Sequence, residues 1–395
     1  MSFSTTGMRE KILGLRKNVF FLGLTSFFND FSSEMILSIL PAFFISVLKS
    51  GAQALGILEG VAEATANIIK IYSGRWSDRI QRHKIFAVIG YSLSVFTRPF
   101  YTLVTSLAGV VGLRMTDRVG KGLRDSPRDA LISLTVPKEE IGMSFGYHRA
   151  MDTLGAILGP FGAYLILRNY PQGFNIVFIT AFVIGLIAIA SLSLVKDVRL
   201  VVEHVRSRVF PNTFSLPFKF YILSIFILSI GTLPLAILLF KTQDLKIALA
   251  SIPLFYAIYN VSYALFSWPA GKLADMWGSS KIIFSGYIFL IFGYLILNFS
   301  SSSFILIVGF LFIGVFSALT DAVERSHLSL LIDDIHKGAA YGYLNAASGF
   351  GALVAGVGGG YIWQNFGDTL AFVLAVGVII FGLFIFAVSK ILSTR

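Results

Sequence analysis

The dominant pattern in the chain is a succession of long apolar runs separated by short polar breaks. A helix needs about 20 apolar residues to cross a bilayer core about 30 Å thick. Dividing the sequence at its polar breaks gives twelve segments of that kind. The predicted helices are 18–47, 54–74, 84–104, 107–133, 142–167, 173–194, 218–240, 247–270, 281–298, 303–332, 338–363 and 368–390. The pattern therefore predicts an all-α membrane protein with twelve transmembrane helices.

Composition agrees with this assignment and excludes several other classes. Hydrophobic residues make up 55% of the chain and charged residues 13%, whereas soluble proteins carry roughly a quarter charged residues. There is no cysteine, so disulfides and thiolate metal sites are excluded. The five histidines are scattered without ligand spacing. We expect no metal, no cofactor and no enzymatic activity, and we keep a membrane enzyme or a non-transporting sensor only as a remote alternative.

The net charge of +11 has a topological explanation. In a soluble domain it would suggest a nucleic-acid partner, but cytoplasmic loops of membrane proteins are enriched in lysine and arginine. With the N-terminus inside, few basic residues fall on the outer side: Lys49, Arg168, Lys241 and Lys246. We therefore predict no nucleic-acid partner and a multi-pass protein of the bacterial inner membrane with both termini cytoplasmic.

Two sequence motifs of the first half recur in the second half. GRWSDRIQRHK at 74–84 corresponds to GKLADMWGSSK at 271–281, and FGYHRAMDTLGAILGP at 145–160 corresponds to YGYLNAASGFGALVAG at 341–356. Internal repetition of this kind is decisive for architecture. It predicts two pseudo-symmetric six-helix bundles. The predicted segments are an N-terminal bundle 1–195, a cytoplasmic linker 196–217 and a C-terminal bundle 218–395.

Two similar six-helix halves in the same orientation resemble the major facilitator superfamily over nearly the whole chain. The segment 74–84 looks like that family's signature between helices 2 and 3, except that Gln81 replaces the usual glycine. The resemblance implies a secondary transporter that works by alternating access, with a cytoplasmic latch at this signature. The latch residues implied are Gly74, Asp78, Arg79, Gly271 and Asp275. A solvated basic turn that serves topology alone is the alternative.

The predicted helix 4 is unusually charged. Arg114, Arg118 and Lys121 lie at steps of three and four, which places them on one helical face. Asp117 is spaced to neutralise Arg114 and Lys121. A charge at the bilayer centre costs at least about 2.5–3.5 kcal/mol, so such residues normally pair or face a water-filled cavity. We expect these four residues to belong to a solute or ion cavity.

Helix 1 carries two carboxylates, Asp30 and Glu34, on one face. They resemble the proton and cation sites of drug–proton antiporters, and the alternative is a structural role as partners of the helix 4 arginines. Burial favours the protonated form of a carboxylate and a nearby arginine favours the ionised form. Alternating exposure of such a group can therefore load and release a proton.

Helices 2 and 3 add further polar candidates. Glu59, Glu63, Asn67 and Lys70 form a polar stripe on helix 2, which we expect to face a cavity or other helices rather than lipid. Glu63 is the deeper of the two acids and is taken as a cavity residue. Arg98 on helix 3 is a further cavity candidate that could pair with either glutamate or extend to the outer surface.

Helix 5 combines small residues with charge. Gly146, Gly155, Gly159 and Pro160 partly match the superfamily's antiporter signature, which favours export, although generic packing by small residues would look similar. The cavity candidates on this helix follow a helical spacing in which histidine could relay protons or be merely structural. These candidates are His148, Arg149 and Asp152.

The second half has fewer ionisable residues within its spans. Helix 10 holds the cavity candidate Asp321, near Glu324, Arg325 and His327. Aromatic residues could form a stacking wall or face lipid. The aromatic residues concerned are Phe255, Tyr256, Tyr259, Tyr263 and Trp268.

These observations predict proton-coupled efflux of a small polar or charged solute by a monomer in the lipid bilayer. The alternative is proton- or cation-coupled uptake of a nutrient or metal chelate by the same fold.

Overall fold

A computed structural model of the chain describes residues 11–80, 82–137, 140–197, 214–332 and 337–393. Within these residues the backbone forms twelve helices of at least 15 residues. The first six are α1 Lys17–Ser46, α2 Ala52–Ile80, α3 His83–Thr97, α4 Leu107–Thr135, α5 Ile141–Asn169 and α6 Phe174–Ser193. The second six are α7 Leu216–Gly231, α8 Ile252–Trp277, α9 Ser279–Asn298, α10 Ser303–Leu330, α11 Lys337–Phe366 and α12 Asp368–Ser393.

Shorter elements fill the gaps. Single turns of helix occur at Arg98–Thr102, Leu235–Leu238, Lys241–Asp244 and Leu249–Ser251. An antiparallel hairpin precedes α1. Its strands are β1 Lys11–Ile12 and β2 Leu15–Arg16, and both turn residues, Leu13 and Gly14, have positive φ, as two-residue hairpins require.

Within the described residues, seven segments are long and apolar enough to cross a membrane by length and composition alone. They are Ile141–Asn169, Phe174–Ser193, Leu216–Leu238, Leu249–Trp277, Ser279–Asn298, Ser303–Leu330 and Asp368–Leu392. α3 has only 15 residues. α4 is a continuous helix, but charged residues interrupt its run of apolar residues. Hydropathy alone therefore undercounts the helices of the first half, where charge is concentrated.

Local sequence explains where several helices begin and end. The hydroxyl groups of Ser106, Ser215 and Ser302 accept hydrogen bonds from backbone N–H groups in the first turns of α4, α7 and α10, as N-cap residues do. Gly278 and Gly367 have φ near +90°, a conformation that glycine adopts without strain. Each glycine forms the whole connection between two successive helices.

Several helix boundaries differ from the predicted ones, and three of the differences are informative. α7 ends at Gly231, before Pro234, rather than at residue 240. α2 continues to Ile80 and α8 to Trp277, so both copies of the repeated signature begin on helices instead of forming loops. The prediction of loops fails here because composition cannot distinguish a polar loop from a helix that extends beyond the bilayer core.

The chain divides into two compact units. The first unit comprises residues 1–39 and 68–203, and the second comprises 40–67 and 204–395. The boundary at 203/204 lies in the predicted linker, most of which lies outside the described residues. Residues 40–67 group with the second unit, whereas the predicted N-terminal bundle included them.

Close backbone approaches at glycine organise each unit. In the first unit, a Cβ at Gly90 would lie 2.5 Å from the carbonyl oxygen of Gly120, so α3 and α4 touch there. In the second unit, a Cβ at Gly60 of α2 would lie 3.1 Å from the carbonyl oxygen of Leu353 on α11. Small residues permit such contacts between membrane helices.

Candidate functional site

The charged helix α4 packs its basic residues onto α3 through the Gly90–Gly120 contact. The Arg124 guanidinium donates a hydrogen bond to the Ser94 hydroxyl over 2.7 Å. Its Cζ lies 4.6 Å from the centre of the Tyr91 ring, which is cation–π geometry. Both helices must lack a side chain at the crossing for this arrangement to form.

Further towards its N-terminus, α4 neutralises part of its own charge. Arg114 Nη1 lies 3.2 Å from Asp117 Oδ2, and Arg118 Nε lies 3.8 Å from the same oxygen. Arg114 and Arg118 are buried. One carboxylate therefore contacts two guanidinium groups of its own helix.

Asp125 connects α4 to the second half of α2. Its Oδ2 lies 3.2 Å from Lys70 Nζ, and its Oδ1 lies 3.9 Å from Arg128 Nη1. The helices approach closely here, because the Ser73 hydroxyl donates to the carbonyl oxygen of Gly122 over 2.7 Å. A Cβ at Gly74 would lie 3.3 Å from Ser126 Cβ.

Arg98 is buried and binds α1. Its guanidinium donates to Asn29 Oδ1 over 3.0 Å and to the Ser32 hydroxyl. Asn29 Nδ2 in turn donates to Asp30 Oδ1 over 3.0 Å. The alternative in which Arg98 extends to the outer surface does not agree with the structure, because only 2% of the residue is exposed and α1 supplies acceptors for its N–H groups.

The predicted acids of α1 and α5 come together where these two helices cross. A Cβ at Gly155 would lie 3.2 Å from Asp30 Cβ, and a Cβ at Gly159 would lie 3.0 Å from Glu34 Cβ. One turn earlier on α5, Asp152 accepts a hydrogen bond from the Ser26 hydroxyl of α1. The Asp30 carboxylate experiences the negative charge of Asp152.

Asp152 also meets the predicted histidine. Its Oδ2 lies 3.5 Å from Nδ1 of the buried His148, one turn earlier on α5. The Gly155 and Gly159 contacts explain why α5 needs small residues here, and Pro160 follows them within the same helix.

The remaining candidates of the first unit are Lys121, Arg149 and Gly146. Lys121 is half-buried on α4, and Arg149 is exposed on α5. Gly146 meets no described atom within 4 Å of a Cβ position, so the expected close packing at this glycine is not seen in the described part of the chain. In the second unit, Glu63 accepts a hydrogen bond of 3.4 Å from Asn67 Nδ2.

Helix α10 of the second unit presents two acids in different settings. The Tyr263 hydroxyl donates to Asp321 Oδ2 over 2.8 Å, and Asp321 is exposed. The Tyr287 hydroxyl donates to Glu324 Oε1 over 2.9 Å. Thus α8 and α9 each supply a tyrosine to an α10 carboxylate.

The predicted latch residues lie near the ends of two helices. Gly74, Asp78 and Arg79 are in the last turns of α2, and Gly271 and Asp275 are in the last turns of α8. The Asp78 side chain lies outside the described part of the structure.

Sequence reasoning missed the neutral partners of the charged groups. Ser26, Asn29 and Ser32 of α1 bind Asp152 and Arg98, and they are ordinary small polar residues in an apolar run. Their spacing of three residues along one face was the available signal. Among the described residues, no group of three or more histidines, aspartates or glutamates could hold a metal ion.

Comparison with known proteins identifies the family. The model described as Major Facilitator Superfamily matches residues 22–224 and 219–393. The chain belongs to this superfamily. An uncharacterized MFS-type transporter of Methanocaldococcus jannaschii is 34% identical over 361 residues, which cover 89% of each chain. An uncharacterized protein of Mycobacterium tuberculosis is 24% identical and covers 91% of this chain and 89% of its own.

Solved structures of superfamily transporters share the fold. The nucleoside transporter NupG is 14% identical with a TM-score of 0.75, covering 94% of this chain and 98% of its own. A POT family transporter in complex with 5-aminolevulinic acid is 13% identical with a TM-score of 0.77, covering 97% of this chain and 98% of its own. At this identity the likeness concerns the fold alone.

Together these matches confirm several of the predictions. The protein is an all-α, multi-pass membrane transporter of the Major Facilitator Superfamily, with the fold of that family. Proteins of this superfamily move small solutes across membranes and are not enzymes, so the prediction of no enzymatic activity is confirmed.

Proposed function

We propose that the protein exports a small polar or charged solute in exchange for protons, by alternating access. The observation that carries this proposal is the α1–α5 crossing, where Gly155 and Gly159 bring Asp30, Glu34 and Asp152 together. The carboxyl groups of Asp30 and Asp152, on two touching helices of the first unit, repel each other when both are ionised. Binding a proton relieves that repulsion.

The neighbouring groups suit a site that gains and loses a proton. Asn29 donates to the ionised Asp30 and links it to the positive charge of Arg98. Ser26 donates to Asp152, and His148 lies 3.5 Å from it. Hydrogen bonds to a carboxylate favour its charged form, so the ionised state is supported here as well as the protonated one.

The basic residues of the first unit favour a solute with an anionic group. Arg114 and Arg118 both contact the carboxylate of Asp117, and arginine recognises carboxylates and phosphates through paired N–H groups. Proteins with the same fold include a nucleoside transporter, a POT transporter with bound 5-aminolevulinic acid and a human organic anion transporter. A polar anion or a zwitterion agrees with that range.

The direction and the coupling ion can be tested in vesicles. Metabolites and drug tolerance of cells with and without the protein first supply candidate solutes. Each candidate is then added to inside-out vesicles with an acidic lumen. Proton-coupled export predicts that the solute enters and that the lumen becomes alkaline at the same time. Accumulation only in right-side-out vesicles would favour uptake instead.

Variants of the acidic residues at the α1–α5 crossing test whether the proton binds there. Asp30→Asn, Glu34→Gln and Asp152→Asn are compared with Asp129→Asn, whose carboxyl group is 48% exposed on α4. We expect at least one of the three to abolish the solute-dependent pH change, while Asp129→Asn retains it. Intact coupling in all three variants would place the proton site elsewhere.

We propose in addition that the latch residues control opening on the cytoplasmic side. Asp78 lies in the last turn of α2, at the negative end of its own helix dipole, so a stabilising contact for its carboxylate would come from the positive N-terminus of another helix. Asp78→Asn should slow turnover while the amount of protein in the membrane stays the same. Unchanged turnover would leave the signature with a role in topology alone.

We also propose the domain bounds, the orientation in the membrane and the oligomeric state. The superfamily repeat supports bundles 1–195 and 218–395 joined by the linker 196–217, and the distribution of basic residues supports cytoplasmic termini in a bacterial inner membrane. The protein is proposed to act as a monomer. Protease or label accessibility of tags at each terminus tests the orientation.

A further inference from the structure

An apolar groove runs along the second unit between α7 and α11. Its volume is about 550 Å³. The α7 wall includes Leu223 and Phe226, and the α11 wall includes Ala346, Phe350 and Val354. Leu223, Phe350 and Val354 are exposed large apolar side chains. The proposed proton site belongs to the first unit, so this groove is not part of it.

Two contacts between α7 and α11 show how the walls of the groove run. The Phe218 ring meets the Tyr343 ring edge-on, with centroids 6.2 Å apart. Further along, a Cβ at Gly351 would lie 2.7 Å from the carbonyl oxygen of Phe226. Residues 218 and 343 are 125 positions apart, as are 226 and 351, so the two helices run in the same direction. The contacts are eight residues apart on α7, about 12 Å along the helix axis, and the small side chain of Ala346 leaves space between them.

A cation lies at one end of the groove. Lys219 is in the first turn of α7, and it is the one charged side chain among the described residues that line the groove. Lys219 is exposed, and in the part of the chain that the structure describes no carboxylate lies within ion-pair distance of its ammonium group. The positive end of the α7 dipole lies at the same turn. Tyr343, half-exposed at this end, is of a residue type enriched at membrane interfaces.

This end of α7 is also where the chain enters the bilayer. The apolar span that contains α7 begins at Leu216, and lysine near the end of a membrane helix extends its ammonium group to the interface. Lys219 therefore lies at the level of the lipid headgroups, whereas Leu223 and Phe226 lie deeper, at the level of the acyl chains. An empty apolar groove at that depth would forfeit dispersion contacts, and an acyl chain restores them.

We infer that this groove binds an anionic phospholipid, with the lipid phosphate on Lys219 and one acyl chain between α7 and α11. An ammonium group has three donors for phosphate oxygens. The rest of the described lining is apolar, so it matches a hydrocarbon chain rather than a polar solute. A zwitterionic phospholipid carries a cation of its own beside the phosphate and gains less from Lys219. The inference concerns a lipid site and does not depend on the transported solute or on the coupling ion.

Photo-cross-linking locates the lipid. The full-length protein in lipid nanodiscs receives one of two probes, a phosphatidylglycerol or a phosphatidylcholine with the same diazirine-labelled acyl chain, and mass spectrometry identifies the cross-linked residues. We expect cross-links within 222–226 and 346–354, with phosphatidylglycerol preferred about fivefold. That ratio corresponds to about 1 kcal/mol for one basic residue near an anionic headgroup. An excess of unlabelled phosphatidylglycerol should suppress these cross-links more than an equal excess of phosphatidylcholine.

Variants assign the headgroup preference and the chain position to residues. Lys219→Gln should abolish the preference for phosphatidylglycerol at these positions, while the phosphatidylcholine probe still cross-links there. Lys281→Gln is the matched control, because Lys281 is exposed in the first turn of α9 and does not line the groove. Ala346→Leu should fill the groove and reduce cross-linking by both probes. Gly358→Leu, at a position of α11 where a Cβ meets no described atom within 4 Å, should behave as the unaltered protein does.

Several results would overturn the inference: no cross-links at the groove, equal cross-linking by the two probes, or a preference that Lys219→Gln leaves unchanged. Absence of cross-links together with a dimer in native mass spectrometry would assign the groove to a second copy of the chain instead. Folding of every variant is checked by its melting temperature. Should Lys219→Gln not fold, the comparison of the two probes on the unaltered protein and on Ala346→Leu decides the matter.

Discussion

Arg98 and Asp30 are joined through one side chain, the amide of Asn29. Arg98 donates to Asn29 Oδ1, and Asn29 Nδ2 donates to Asp30 Oδ1, each over 3.0 Å. The amide thereby places a carboxylate under the influence of a buried guanidinium group without direct contact. An indirect link of this kind stabilises the charge on Asp30 and leaves the carboxyl group able to take a proton.

Removal of that amide should destabilise the first unit. Asn29→Ala leaves Arg98 without one acceptor and Asp30 without one donor, and a lost buried hydrogen bond costs about 1–3 kcal/mol. We expect a lower melting temperature for purified Asn29→Ala. Asn169→Ala is the control, since Asn169 is exposed and donates to the carbonyl oxygen of Leu165 in its own helix. Equal melting temperatures would contradict the linking role.

The α3–α4 crossing should tolerate no side chain. A Cβ at Gly120 would lie 2.6 Å from the Gly90 carbonyl oxygen, whereas a Cβ at Gly112 on the same helix has no described atom within 4 Å. Gly120→Leu must force the helices apart, at a cost of at least about 1–3 kcal/mol. We expect Gly120→Leu to lower the melting temperature strongly and Gly112→Leu to leave it unchanged. Similar behaviour of the two variants would show that the crossing is loose.

Asp125 should contribute far more to thermal stability than Asp129 does. Asp125 is largely buried between Lys70 and Arg128, and removing one partner of a buried ion pair costs about 3–5 kcal/mol. Asp129 is 48% exposed, and an exposed pair contributes about 0–1 kcal/mol. Asp125→Asn should therefore be markedly less stable to heat than Asp129→Asn.

A second variant keeps the Asp125 prediction testable when Asp125→Asn does not fold. Combining it with Lys70→Met removes the unpaired ammonium group, so the double variant should recover part of the lost stability. A double variant that also fails to fold, or that is no more stable than Asp125→Asn, would contradict a stabilising contact between Lys70 and Asp125.

The N-terminal hairpin should detach in acid. Hydrogen bonds from Arg16 and Lys11 hold the pKa of Glu140 below its usual value. A lowered pKa means that this attachment is fully present above the usual glutamate value of about 4.3 and is lost as pH falls through the lower folded pKa. The protection of residues 11–16 from hydrogen exchange, taken relative to an unstructured chain at the same pH, should fall over that window.

Glu140→Gln provides the comparison for the hairpin. It should show rapid exchange of residues 11–16 at neutral pH, with little further change in acid. Asp197→Asn is the control, because Asp197 accepts from the backbone N–H of Lys84 elsewhere in the unit. Slow exchange in Glu140→Gln at neutral pH would mean that other contacts hold the hairpin.

The sequence predicted the helices well because each must be long and apolar enough to span the same bilayer core. It placed α4 at 107–133 against Leu107–Thr135 in the structure. It could not predict that α7 ends at Gly231, because an apolar run continues past the break. The self-neutralising pair of Arg114 and Asp117 was predictable because its spacing is local to one helix.

Partners on different helices were not predictable in the same way. Lys70 with Asp125 and Arg98 with Asn29 lie 55 and 69 positions apart in the chain, and no periodicity within either helix specifies the other. The amino-acid sequence by itself determined the membrane spans, the internal repeat and the concentration of charge in the first half. Only the tertiary structure decided which carboxylate meets which cation, because glycine contacts between helices set the register at which side chains come within hydrogen-bond distance.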